Sequence, residues 1–180
     1  MKSIAALSLL VLLSVARLPA EPSPAAIANP LIDYPAHRET VKRVEALRES
    51  RRLSETDFLT RAREAGTIVL DARSDAMFRR LHVQGAVNLS FPDFTADALS
   101  AVIPAKGTPV LIYCNNNFLG SPRAMASKIP STSLNISTYV ALTSYGYTNV
   151  YELGPLLDVK TTLLPLVGTE TAGPGKEKAR

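Results

Sequence analysis

The sequence predicts an α/β domain built around a mostly parallel sheet. Two short apolar runs, at residues 67–70 and 110–113, are typical of buried parallel strands, and residues 149–153 are interpreted as the last strand. Segments with helical spacing stand between them, among them residues 134–145, which end at Gly146. Because parallel strands need crossovers of this length, the alternation predicts helices packed against a central sheet.

Composition limits the classes of function. The 180 residues are 46% hydrophobic and 20% charged, which is typical of one globular domain with a core. The net charge of +4 comes from segments that mix both signs, and the chain has no Trp. These features argue against a nucleic-acid partner, since neither a basic surface nor an aromatic stacking platform is predicted.

Residues 1–20 have the layout of a secretory signal peptide. Lys2 precedes an apolar run at residues 4–15, and small residues follow up to Ala20. We therefore expect export to the periplasm or the cell exterior, without stable membrane insertion after cleavage. An uncleaved anchor is the alternative. Residues 21–35 are rich in Pro and Ala and are interpreted as a linker.

Residues 36–53 are predicted to form a helical extension. Val41, Val44 and Leu47 recur at helical spacing, while interleaved Arg and Glu residues indicate a solvated face. Ser54 is a candidate helix N-cap, with Asp57 as its partner three residues on. A second helix is expected to run from there to about residue 65.

The rest of the domain is predicted to span residues 54–167. We expect short helices at residues 75–80 and 94–102, a turn into a strand at 82–89, and an irregular stretch at 121–133. A final helix, interrupted by Pro165, is predicted at residues 156–167. The polar residues 168–180 are predicted to be a disordered tail.

Cys114, the single cysteine, directly follows the apolar run at residues 110–113. The carboxyl end of a central parallel strand is where α/β domains bind ligands, and an accessible thiolate there would be nucleophilic. A buried, inert cysteine is the alternative. His37 and His82 do not have metal-ligand spacing with Cys114, so neither a metal nor another cofactor is expected.

Four segments resemble rhodanese-like domains, in the family's order. Residues 67–73 end in Asp-x-Arg, and residues 82–88 read His-Val-Gln-Gly-Ala-Val-Asn. Residues 109–114 resemble the strand that delivers the family's nucleophilic cysteine, and residues 145–154 resemble its last conserved segment. The resemblance implies a three-layer fold, with a mostly parallel central sheet flanked by helices.

The resemblance also implies a chemistry. Cys114 would attack a sulfane donor such as thiosulfate, hold the sulfur as a persulfide, and pass it to a thiol or cyanide. The loop that follows would bind the small sulfur-containing anion, with Asp71 and Arg73 in supporting positions. The loop residues expected to contact substrate are Asn115, Asn116, Asn117, Phe118, Leu119, Gly120 and Arg123.

The loop departs from the family's pattern. Catalytic members have a basic residue shortly after the cysteine, but the first one here is Arg123. Three asparagines stand nearer, and Asn could form an anion-binding nest by adopting left-handed backbone conformations. The alternative function is a non-catalytic module that binds an anion or a protein partner. A phosphatase is disfavoured, since Gly120 occupies the position of that family's arginine.

Overall fold

A five-stranded parallel sheet lies at the centre of the fold. The structure is a computed structural model that describes residues 27 and 29–170. The strands are β1 (Arg52–Leu53), β2 (Ile68–Asp71), β3 (His82–Val83), β4 (Val87–Asn88), β5 (Val110–Tyr113), β6 (Phe118–Leu119), β7 (Val150–Leu153), β8 (Leu157–Asp158) and β9 (Leu166–Val167). The sheet order is β1-β7-β5-β2-β4, and every neighbouring pair is parallel. The strand that leads to Cys114, β5, is therefore the middle strand.

Helices cover both faces of this sheet. They are α1 (Tyr34–Arg48), α2 (Glu55–Ala62), α3 (Asp75–Arg80), α4 (Ala96–Val102) and α5 (Leu134–Ser144). Alternate residues of the strands point to opposite faces, so two separate cores form. One core packs Leu111 with Phe58 of α2, and the other packs Ile112 with residues of α1, α4 and α5. The expected three-layer arrangement follows from these two cores.

Side-chain caps set the starts of the first two helices. The carboxylate of Asp33 accepts the N–H of Ala36, so α1 begins two residues earlier than predicted. The hydroxyl of Ser54 accepts the N–H of Asp57 and donates to its carboxylate, which confirms the predicted N-cap. Residues 1–32 form a separate unit from residues 33–180, and within its described part the Asn29 side chain accepts the N–H of Leu31.

The helix predicted at residues 156–167 is wrong. This segment contains β8, which pairs in parallel with β6, and β9, which pairs antiparallel with β3. Pro155 and Pro165 limit the run of helical hydrogen bonds, while the strand edges of β3 and β6 offer partners that local periodicity does not reveal. Each short strand satisfies its backbone against a distant part of the chain.

Residues 168–170, which follow β9, pack against the end of α3. The N–H groups of Thr169 and Glu170 donate to the carbonyls of Arg79 and Arg80. A Cβ added to Gly168 would lie 2.4 Å from the Arg80 oxygen, so only glycine permits this close approach. The rest of the predicted tail, residues 171–180, and the predicted signal peptide lie outside the described residues. No helix in the described part of the chain is both long and apolar enough to span a membrane.

We predict that Leu70→Ala lowers the free energy of unfolding by about 2–5 kcal/mol, because it leaves a cavity where a fully buried side chain was. Leu70 is fully buried in β2 and belongs to the core that contains Leu99 and Ile112. Urea denaturation measures the change. Leu163→Ala is the control, since that side chain is 61% exposed, and a comparable loss in both variants would contradict the core assignment.

Candidate functional site

The thiol of Cys114 is buried at the carboxyl end of β5. The residue is 1% exposed. Its sulfur accepts the N–H of Asn117, in the short 3₁₀ turn Asn115–Asn117, and lies 3.4 Å from the hydroxyl of Ser133. Ser133 is the N-cap residue of α5, so the sulfur also lies at the positive end of that helix. Donors and a favourable dipole therefore surround a sulfur atom that has little contact with solvent.

The side chain of Asn117 connects three elements around this sulfur. Its Oδ1 accepts the N–H of Cys114 at 2.9 Å and the side-chain amide of Asn135, on α5, at 3.1 Å. Its Nδ2 donates to the carbonyls of Leu153 and Pro155, at the end of β7. Since the residue is only 6% exposed, each of these bonds is shielded from water.

The other two asparagines attach the following loop to the turn. Asn115 donates to the carbonyl of Ala126, while Asn116 donates to the carbonyl of Lys128 and accepts its N–H. Within the described part of the chain, only glycines have positive φ, so the left-handed asparagine nest expected from the sequence does not form. The backbone carbonyls of Ala126 and Lys128 accept these amides instead. The sulfur receives one amide N–H from the turn, that of Asn117, which also donates to the Cys114 carbonyl at 3.1 Å.

The next three loop residues have structural contacts. Phe118 is fully buried against Tyr113, and Leu119 pairs with Asp158 through β6 and β8. Gly120 has φ of 87°, and a Cβ there would lie 3.0 Å from the Asp158 carboxylate. This tight turn requires glycine and leads the chain away from Cys114.

Arg123 lies in a cluster centred on Glu170. Its side chain is 77% exposed and approaches the Glu170 carboxylate at 3.5 Å. The same carboxylate accepts the hydroxyl of Ser121 at 2.9 Å and a guanidinium N–H of Arg80 at 3.3 Å. The Ser121 hydrogen bond, with Arg80 and Arg123, lowers the pKa of Glu170. The basic residue that the sequence offered as a loop cation is thus engaged by a carboxylate.

Asp71 and Arg73 form a buried ion pair beside the loop. The guanidinium of Arg73 donates to both carboxylate oxygens of Asp71, at 2.6–3.1 Å, and to the carbonyls of Ala124 and Leu81. Tyr113 donates its hydroxyl to Asp71 at 2.6 Å. Burial and the Asp71 charge raise the pKa of Tyr113, so the phenol stays protonated. The pair anchors the loop at Ala124 and makes no contact with Cys114.

A cavity of about 410 Å³ lies directly beside the groups that contact the sulfur. Its lining includes Asn117, Ser133 and Asn135, together with three cationic residues, which are Arg48, Arg52 and Lys128. Arg48 and Arg52 share the carboxylate of Glu152, at 2.7 and 3.3 Å. A larger cavity, of about 610 Å³, is lined by Arg73, Phe91 and Lys128 among other residues.

Sequence reasoning missed the two arginines, Glu152, Ser133 and Asn135. Arg48 and Arg52 belong to the helical extension whose charged face was interpreted as solvated, but they contact Glu152, which is 1% exposed in β7. Desolvation raises the pKa of Glu152, although Arg48 and Arg52 act in the opposite direction. The available signal was Glu152 itself, a carboxylate inside the predicted strand 149–153. A carboxylate that a strand carries into a core needs a cationic partner, so a contact with an arginine or lysine could have been expected. Within residues 27 and 29–170, no cluster of three His, Cys, Asp or Glu side chains could hold a metal.

We predict that Asn117→Asp destabilises the domain by roughly 3 kcal/mol or more, because a carboxylate would face the carbonyls of Leu153 and Pro155 without a proton to share. Urea denaturation at neutral pH measures the loss. Asn149→Asp is the control, since Asn149 makes one exposed hydrogen bond, to Gly107. An equal, small loss in both variants would contradict the role assigned to Asn117.

We predict that Glu170→Gln lowers stability at neutral pH and has a smaller effect in acid. The lowered pKa means that folded Glu170 binds its proton less readily than the unfolded chain does. Its stabilisation is therefore complete above the unfolded pKa of about 4.3 and disappears as pH falls through the folded value. Urea midpoints measured against pH test this difference, with Glu64→Gln, an exposed glutamate, as the control. A difference independent of pH would contradict it.

Comparisons with known proteins place these features in a family. A family model described as the Rhodanese-like domain matches residues 54–154. A search of curated proteins found no match. Among solved structures, a Bacillus halodurans protein is 17% identical, with a TM-score of 0.50, covering 74% of this chain and 88% of its own.

Two further solved structures are similar to this chain. An E. coli rhodanese with anions is 24% identical, with a TM-score of 0.39, covering 57% of this chain and 98% of its own. The rhodanese-like domain of an Anabaena protein is 18% identical, with a TM-score of 0.49, covering 72% and 89%. The matched segment includes Cys114 and four of the five sheet strands in full, and it contains the four motifs that predicted the fold. The prediction is confirmed: this chain belongs to the rhodanese-like domain family.

Proposed function

We propose that this protein is a sulfurtransferase that carries sulfur as a persulfide on Cys114. The observation that supports the proposal is the position of its sulfur, between the N–H of Asn117 and the hydroxyl of Ser133, at the start of α5. Hydrogen-bond donors and a helix N-terminus stabilise the thiolate that attacks and the persulfide anion that results. The family allows this activity, and it also includes modules without catalysis.

The proposed reaction has two displacement steps. The Cys114 thiolate attacks the outer sulfur of a sulfane donor, and in thiosulfate the S–S bond breaks with its electron pair leaving on sulfite. The enzyme then holds a cysteine persulfide anion. An acceptor thiolate or cyanide attacks the terminal sulfur, and Cys114 leaves as the thiolate. No external oxidant or reductant is needed, because the sulfane sulfur moves without a net change of electrons.

We also propose export to the periplasm or the cell exterior, supported by the charged start, apolar run and small residues of positions 1–20. An exported sulfur carrier with one cysteine could not form an intramolecular disulfide. Its small partners would be a sulfur-containing anion and a thiol or cyanide acceptor.

A second function is favoured by the burial of the thiol. Cys114 is 1% exposed, and the side chains of Asn115 and Asn116 hold residues 126–128 against the turn. A donor reaches the sulfur only if Ser133 or this loop moves. If they remain in place, the domain acts as a non-catalytic module that binds an anion or a protein partner.

The deciding experiment is intact-mass measurement after incubation with thiosulfate or an organic persulfide. We predict that the native protein gains one sulfur atom and that Cys114→Ser does not, with transfer to cyanide following the same dependence. Failure of the native protein to gain sulfur from either donor would contradict the sulfurtransferase and favour the binding module.

Ser133→Ala tests the stabilisation of the thiolate. Losing one hydrogen bond to the developing charge should slow both sulfur transfer and the alkylation of Cys114 on the order of tenfold. Ser131→Ala is the matched control, since Ser131 is an exposed serine two positions away. An unchanged alkylation profile in Ser133→Ala would show that its hydroxyl does not act on the sulfur.

A further inference from the structure

Resting on the proposed function, we propose that the cavity lined by Arg48, Arg52 and Lys128 binds the carboxylate of a small organic thiol or its persulfide. Two of the three cations of this anion site, Arg48 and Arg52, come from the segment before the matched domain, and only Lys128 comes from the loop that follows Cys114. It would place the anionic end of a substrate near Arg48 and its sulfur toward Ser133 and Cys114.

The charges around the cavity favour an anion. Arg48 and Arg52 share one buried carboxylate, that of Glu152, so one positive charge is in excess, and Lys128 adds another. Glu49 lies 3.8 Å from Arg52, but its side chain is 79% exposed and solvent screens it. A net positive cavity therefore remains beside the thiol.

Arg48 also keeps donors available, whereas Arg52 donates a terminal N–H to the carbonyl of Gly154 at 3.3 Å. Both arginines approach Glu152 through Nε, at 2.7 Å from Arg48 and 3.3 Å from Arg52. Arg48 approaches Glu152 through Nε, and in the described residues its terminal nitrogens donate to no other group. A planar guanidinium with two free terminal nitrogens matches a carboxylate in a bidentate arrangement.

The cavity lies next to the residues that contact the sulfur of Cys114. Asn117 and Ser133, whose N–H and hydroxyl contact the sulfur, both line it. Asn135 also lines it, is 4% exposed, and has a side-chain oxygen without a hydrogen-bond partner in the described residues. A buried acceptor of this kind is satisfied by a ligand with an N–H, O–H or S–H group.

The size of the cavity favours an organic ligand over a bare inorganic anion. A volume of about 410 Å³ falls in the range of sites that hold small organic molecules. Its walls also include the apolar side chains of Leu153 and Leu156, which suit a short carbon chain between the anion and the sulfur. A mercaptocarboxylate has these three parts in order.

The binding test uses the full-length protein with Cys114→Ser, which cannot react with thiols. We expect 3-mercaptopropionate to bind, and 2-mercaptoethanol, its neutral counterpart, to bind at least tenfold more weakly by calorimetry. Arg48→Gln and Lys128→Gln should each weaken 3-mercaptopropionate about tenfold. Arg63→Gln, which removes an exposed charge away from the cavity, should leave binding unchanged. Because Lys128 is exposed, Lys128→Gln should fold normally. It therefore still tests the anion site if Arg48→Gln fails to fold.

The kinetic test uses the persulfides of the same two thiols with an intact Cys114. The thiolate takes the terminal sulfur of the persulfide and releases the parent thiol as thiolate. We expect Arg48→Gln and Lys128→Gln to raise KM for the anionic donor about tenfold, with kcat unchanged, and to leave the neutral donor unaffected. A higher KM for the anionic donor alone indicates lost anion recognition, because a general loss of structure would impair the reaction with both donors.

The outcomes separate this proposal from the sulfurtransferase. If 3-mercaptopropionate binds through Arg48 and Lys128 but Cys114 never gains sulfur, the anion site stands and the sulfurtransferase fails. If Cys114 gains sulfur equally from both donors in every variant, the sulfurtransferase stands and the anion site is wrong. Equal binding of the anionic and neutral thiols would likewise overturn the anion site.

Discussion

The buried side chain of Asn117 is the interaction on which the site depends. Its amide makes four hydrogen bonds, to Cys114, Asn135, Leu153 and Pro155, and these join the ends of β5 and β7 to the first turn of α5. A carboxamide can supply two donors and two acceptor positions at once, whereas Asp offers only acceptors and Leu offers neither. The direction of the chain after Cys114, and the donors that reach its sulfur, follow from this arrangement.

The positive charge nearest the site comes mainly from outside the loop that follows Cys114. The asparagine amides bind backbone carbonyls, and Arg123 contacts Glu170, so Lys128 is the one basic residue of the loop after Cys114 without a carboxylate partner in the described part of the chain. Arg48 and Arg52, from the helical extension and β1, instead lie beside the groups that surround it. The extension is therefore part of the site's electrostatics. It is held there by Glu152, whose burial requires cationic partners.

The C-terminal segment holds the outer side of the same loop. Strand β8 pairs with β6, β9 pairs with β3, and Glu170 contacts Ser121 and Arg123. The start of the loop between β6 and α5 is thus held by residues far away in sequence.

The sequence by itself determined the main helices and strands, the family and the position of Cys114 at a strand end. These features can be predicted because their signals are local. Helical periodicity, a cap such as Ser54 and an apolar run such as 110–113 each depend only on neighbouring residues, and an apolar run of strand length is enough to predict a buried strand. Only the tertiary structure decided the path of residues 156–170, the partners of the asparagines and the approach of Arg48 to Glu152. These contacts join segments that the sheet order β1-β7-β5-β2-β4 brings together. Hydrogen bonds and ion pairs across such distances leave no periodic trace in a single sequence.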